Sequence, residues 1–149
     1  MNALLQPRSI GVTPWLSPED IALVRSQFAG IGRDADGFAR DFYEILFSIS
    51  PLVRAMFRGP MQEQRAKLLR MLTLAMSLLD SPAALATPLA ALGERHRAYG
   101  VLALDYDHAG DALLRALALH LGDAFDERAR AAWGRLYVAI ASAMQAAHA

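Results

Sequence analysis

Residues 92–100 read LGERHRAYG and set an imidazole, His96, between two arginines on a helix whose other inward positions are leucines. Successive helical residues lie about 100° apart, so Arg95 and Arg97 flank the apolar stripe while His96 lies on it. An imidazole on an apolar wall has two chemical uses. It can stay neutral and hydrogen-bond to a backbone carbonyl, or one ring nitrogen can bind a metal. No His, Asp or Glu stands three or four residues away in a zinc-like pattern. A metal at His96 therefore needs its other ligands from elsewhere, as when a macrocycle holds it and the imidazole is the single axial ligand. His108, His120 and His148 sit beside polar or terminal residues and read as surface side chains.

Other chemistries lack their residues. The chain has no cysteine, which excludes disulfides, thiolate metal sites and cysteine nucleophiles. It has no G-x-S-x-G, P-loop or G-x-G-x-x-G, and GIGRDADG (residues 30–37) is a connection between helices with no strand before it. Fifteen Lys and Arg balance fifteen Asp and Glu without clustering, which disfavours a nucleic-acid surface. The start, MNALLQPRSIGVTPW, has no signal-peptide pattern and no uncharged run is long enough to span a bilayer, so a cytoplasmic location is expected. Hydrophobic residues make up 54% of 149. They could line an apolar pocket, form an oligomer interface or reflect an Ala/Leu bias, and composition does not choose among these.

The elements that must position His96 are helices, because apolar residues recur at helical spacing and no strand-length alternation occurs. Ser17 and Pro18 open the first helix, with Asp20 as the capping-box acid and Ile21, Val24, Phe28 and Ile31 as its face. A second starts at Asp34 or Asp36, carries Phe38, Phe42 and Ile45 or Leu46, and ends before Pro51. SPLVRAMF is a short third, broken by Gly59 and Pro60, and a long fourth spans Met61 to Leu79. Thr87 and Pro88 open the helix bearing Leu89, Leu92 and His96, which Gly100 closes. Two more carry Ala109, Leu113 and Leu117, then Trp133, Tyr137, Ile140 and Met144. Seven to eight helices make one all-α domain over residues 16–149, with residues 1–15 as an N-terminal extension.

Five segments then stand in register: DFYEILFSISPLVRAMF, EQRAKLL, LGERHRAYGV, DY and AWGRLY, with 32 residues from Gln64 to His96. Together they resemble the single-domain bacterial globins of the flavohaemoglobin lineage, from about Leu16 to Ala147. The resemblance implies a globin fold around one haem b (iron protoporphyrin IX). It implies that His96 is the proximal ligand and Phe57 stacks on the porphyrin. Tyr43 and Gln64 become distal hydrogen-bond donors to a gas ligand, Leu68 closes the distal wall, and Val101 and Tyr106 continue the proximal wall. Lys67 or Arg95 would pair with haem propionates. A phenol or amide in a dry pocket stabilises a partly anionic oxygen adduct better than water does.

The implied function is reversible oxygen binding, with carbon monoxide and nitric oxide as further gas ligands and a monomer or homodimer as the assembly. The alternatives are nitric oxide dioxygenation, which would need an external reductase in a chain too short to hold a flavin module, and gas sensing. Relatives with strong redox chemistry place a glutamate late in the last helix, beside a tyrosine that Tyr106 would supply. Here His148 falls at about that position, which argues against peroxidase-like activity.

Overall fold

The computed structural model describes residues 16–146. Helix α1, Pro18–Ile31, begins as its residues dictate, with Pro18 in the first turn and the Ser17 hydroxyl accepting from the Asp20 amide at 3.0 Å. The Asp20 carboxylate does not complete a capping box. It is buried and turned to Arg135, 2.5 Å away, with Arg128 at 3.7 Å. Burial alone would raise its pKa, but the hydrogen bond and charge of Arg135, helped by Ser17 and Arg128, hold the carboxyl below its ordinary value. An ion pair is a stronger claim on a buried carboxylate than a cap that an exposed helix end can obtain from water.

Asp34 caps α2, Ala35–Ile49, and Pro51 ends it. Its stripe buries Phe38, Phe42, Tyr43 and Leu46. Helix α3, Pro51–Arg54, stops short of Phe57, which lies in the connection to α4, Met61–Ser77. Helix α5 runs Pro82–Ala98, so the expected start at Thr87 and Pro88 is corrected. Pro82 already holds the first-turn position. Pro88 then falls inside the helix, where it forfeits one backbone hydrogen bond, while Leu85 and Leu89 on either side of it are buried. Helix α6 is Ala103–Leu121, and α7 is Glu127–Ala146, with Asp126 accepting from the Ala129 amide at 2.9 Å.

α2 packs chiefly on α6 and also on α4, while α5 packs on α7. The larger core joins α1, α2, α4, α6 and α7 around Phe38, Leu79, Leu117 and Trp133. The Trp133 indole donates to the Gln27 side chain at 2.9 Å, and the Gln27 amide donates to the Ala124 carbonyl at 2.8 Å. Each buried polar group there has its partner, as the interior demands. A smaller core of Leu85, Leu89, Tyr106, Ala141 and Met144 lies under α5. Tyr137 and Ile140 on α7 pack against both. Among the described residues, no helix is long and apolar enough to cross a membrane.

Candidate functional site

His96 is held by the backbone of its own helix. Its Nδ1 lies 2.9 Å from the Leu92 carbonyl oxygen. A carbonyl only accepts, so Nδ1 carries the proton, and in the neutral form of such a ring the lone pair is on Nε2. Helix α5 closes in a Schellman arrangement: the Gly100 amide donates to Arg97 at 3.0 Å and the Val101 amide to the His96 carbonyl at 3.1 Å. Gly100 sits at φ +90°, which glycine adopts without a side-chain clash. The same closure brings the half-buried Val101 back toward His96. The His96 ring lies roughly parallel to Tyr106, with centroids 6.3 Å apart and 29° between planes. Burial raises the Tyr106 pKa. Tyr137 donates to the Tyr106 carbonyl at 2.6 Å and so ties α6 to α7.

Gly93, three residues before His96, sets how close α5 comes to α7. A Cβ at this position would stand 2.0 Å from the Met144 carbonyl oxygen. Only a residue without a side chain permits that approach.

On α2 and α4 a second group assembles from side chains. Tyr43 is 8% exposed, and its hydroxyl lies 3.5 Å from the Gln64 backbone carbonyl, the outer limit of a hydrogen bond. The phenol is thus a donor with only a weak partner to give up. Burial pushes its pKa up to about 12, with Gln64 opposing, so it stays protonated across the physiological range. Its ring meets Phe42 at 4.9 Å and Phe57 at 5.4 Å, both near-perpendicular, and Phe47 at 5.9 Å. Leu68, one turn after Gln64, packs against the same core.

The expected residues therefore form two groups: Tyr43, Gln64, Phe57 and Leu68 on one side, His96, Val101 and Tyr106 on the other. Between these groups α5 does not pack extensively on α2 or α4 among the described residues. Phe57, Leu68, Leu92 and Val101 are only half-buried, although their apolar character calls for cover, and the polar Gln64 and His96 are half-buried with them. A flat, largely apolar group bearing a metal fits this donor set. It would take one nitrogen lone pair from His96 and cover the apolar faces on both sides, as haem does. Among the described residues no three His, Asp or Glu converge to hold a metal by themselves. Lys67 and Arg95 are exposed.

Two histidines differ from their reading as surface groups. His120 is half-buried, with Nε2 2.7 Å from Asp41 and its ring edge-on to Phe38 at 5.7 Å. Asp41 and His120 are 79 residues apart, so only the packing of α2 on α6 reveals the pair. His108 is half-buried, with its Nδ1 shielded from solvent. Gly93 also escaped the sequence reading, since nothing local marks a glycine that faces a neighbouring backbone. His148 lies outside the described residues, as does the proposed extension.

A family model described as Globin matches residues 40–144. The chain is 28% identical to a neuroglobin of Dissostichus mawsoni over 143 residues, covering 87% of this chain and 90% of that one. It is 30% identical to a flavohemoprotein of Deinococcus radiodurans over 135 residues, covering 87% of this chain but 33% of the relative, and thus spans about a third of that protein. Among solved structures it superposes with a TM-score of 0.76 and 26% identity on an engineered carbene transferase from Rhodothermus marinus, described as a candidate nitric oxide dioxygenase, over 85% of this chain and 89% of that one.

Proposed function

The chain belongs to the globin family, whose members bind haem and small gas ligands, and from that premise we propose that it holds a non-covalent b-type haem and binds oxygen reversibly. When bound, the haem supplies the iron that holds the gas. The observation that carries the reading is the 2.9 Å contact between His96 Nδ1 and the Leu92 carbonyl, which puts the lone pair on Nε2 and fixes the ring plane. His96 would be the residue that holds the iron, with the Tyr106 ring beside it and Val101 returning to its backbone carbonyl.

On α2 the Tyr43 phenol, kept protonated by burial, would donate a hydrogen bond to the gas, and Gln64 stands beside it. Phe57 would cover the bound group and Leu68 would help to exclude water. A protonated donor in a dry site stabilises developing negative charge without reorganising when the gas arrives. This arrangement supports tight holding and slow release.

The name of the Rhodothermus marinus neighbour favours a second reading, nitric oxide dioxygenation. That reaction would consume bound oxygen and nitric oxide and yield nitrate, and each turnover would draw one electron from an external reductase. The same residues would serve both. Mixing the haem-loaded oxygenated protein with successive portions of nitric oxide separates the two. The carrier reading expects one nitrate per haem even with a flavin reductase and NADH present. Sustained turnover under those conditions would replace it with the enzyme.

A further inference from the structure

Beside Tyr43, on the solvent side of α2, lies a crevice of about 250 Å³ into which three arginines project. Each comes from a different helix: Arg40 from α2, Arg54 from α3 and Arg65 from α4. Tyr43, Phe47 and Met61 supply its apolar lining, and Glu44 is the one carboxylate in the wall. Three guanidinium groups around a small space repel one another, so their convergence needs a reason.

The neighbouring carboxylates relieve this only in part. Asp36 is 2.7 Å from Arg65 Nε and anchors it. Asp41 lies 3.9 Å from Arg40 Nε, while its other oxygen is taken by His120 at 2.7 Å. Arg54 stands over the face of Phe47, 5.1 Å from the ring centroid, a contact that orients the guanidinium plane and leaves the charge intact. The lining itself carries three positive charges and one negative, with Asp36 and Asp41 offsetting Arg65 and Arg40 from outside it, so among the described residues Arg54 is the arginine whose charge is turned to the crevice without a carboxylate beside it.

We infer that this crevice binds a small, planar, monovalent oxyanion, of the nitrate or carboxylate type. Guanidinium is a flat fork of donors that matches two oxygens of such an ion at once, which a spherical halide cannot reproduce. The walls are polar at the arginines and apolar at Phe47 and Met61, which suits a weakly hydrated flat ion. The crevice shares Tyr43 with the proposed gas site, but its guanidinium groups are not part of that site. Loss of anion binding in Arg54→Ala would leave His96 untouched.

The test uses the full chain, haem-loaded and saturated with carbon monoxide so that added anions are kept from the iron. At constant ionic strength, sodium nitrate, sodium acetate and sodium chloride are titrated separately while the arginine Nε–H resonances are followed by NMR. Nitrate or acetate should shift Arg40, Arg54 and Arg65 along a saturating curve, the tighter of the two naming the source, while chloride binds severalfold more weakly and Arg130 stays still. Arg54→Ala should weaken the saturating anion roughly tenfold, and Arg54→Lys, which keeps the charge and loses the fork, should recover only part of that. Equal, linear shifts with all three salts, or at Arg130 as much as in the crevice, would overturn the proposal. So would full recovery in Arg54→Lys. An unchanged carbon monoxide spectrum checks that each variant folds.

Discussion

Tyr43 and His96 are assigned to opposite sides of the proposed haem, and they are positioned by different means. Tyr43 is enclosed in the larger core, with Phe42, Phe47 and Phe57 around its ring and helices α2 and α4 supplying its neighbours. His96 is half-exposed on a helix whose own core is much smaller, and its geometry comes from backbone atoms: the Leu92 carbonyl, the closure at Gly100 and the contact of Gly93 with Met144. Side-chain packing tolerates volume-conserving change, whereas a backbone contact has no rotamer to give. The proximal side should therefore be the more brittle one.

The largest effect is expected at Gly93. Gly93→Ala would push a methyl against the Met144 carbonyl, and because both partners are backbone the strain can be relieved only by moving α5 off α7. Urea unfolding should show a loss of about 2–3 kcal/mol. An unchanged midpoint would remove this contact from the comparison.

Alkaline pH probes the other side. The folded pKa of Tyr43, about 12, lies above the ordinary 10, so the stability tied to its neutral form is present below pH 10 and lost as pH rises toward 12. Tyr137 is shifted in the same direction by burial and by Tyr106 and Asp107. The loss should be on the order of 2 kcal/mol for Tyr43 alone. Phenolate absorbance in the folded protein should show Tyr43 silent at pH 10.5, and an ordinary titration would mean that the phenol is wet.

Tyr43→Phe keeps the ring packing and removes only the donor. Oxygen dissociation from the haem-loaded protein should quicken roughly tenfold or more, with little change in folding stability. Gln64→Leu should do less. An unchanged rate in Tyr43→Phe would take the phenol out of gas binding. Smallest of all, His120→Gln should cost about 1 kcal/mol or less by loosening α2 from α6, and leave the His96 side unaffected.

The sequence carried the helices and the direction of His96 because both depend on local periodicity: Pro18, Pro51 and Gly100 punctuate the chain where the structure turns. It misplaced the start of α5 because Thr87–Pro88 looks locally like the cap that Ser81–Pro82 provides, and only tertiary burial of Leu85 and Leu89 extends the helix through the second proline. The capping role given to Asp20 failed for a related reason, since Arg135 is 115 residues away. The Asp41–His120 pair and the arginine crevice join residues from separate helices, and no spacing rule reaches across a fold. The order of motifs from Tyr43 to His96 did carry the family, because that stretch lies within the residues 40–144 that the Globin model matches, while the roles given to Tyr43, Gln64 and His96 are proposals.

The proposed function depends on His96 holding the iron, and one measurement tests this most directly. The full chain and His96→Gly are loaded with haem, reduced without oxygen, and their visible spectra compared with and without added imidazole. The expected result is a five-coordinate ferrous spectrum in the parent, its loss in His96→Gly, and its return when imidazole fills the space left by the side chain. The same spectrum in His96→Gly without imidazole would contradict it.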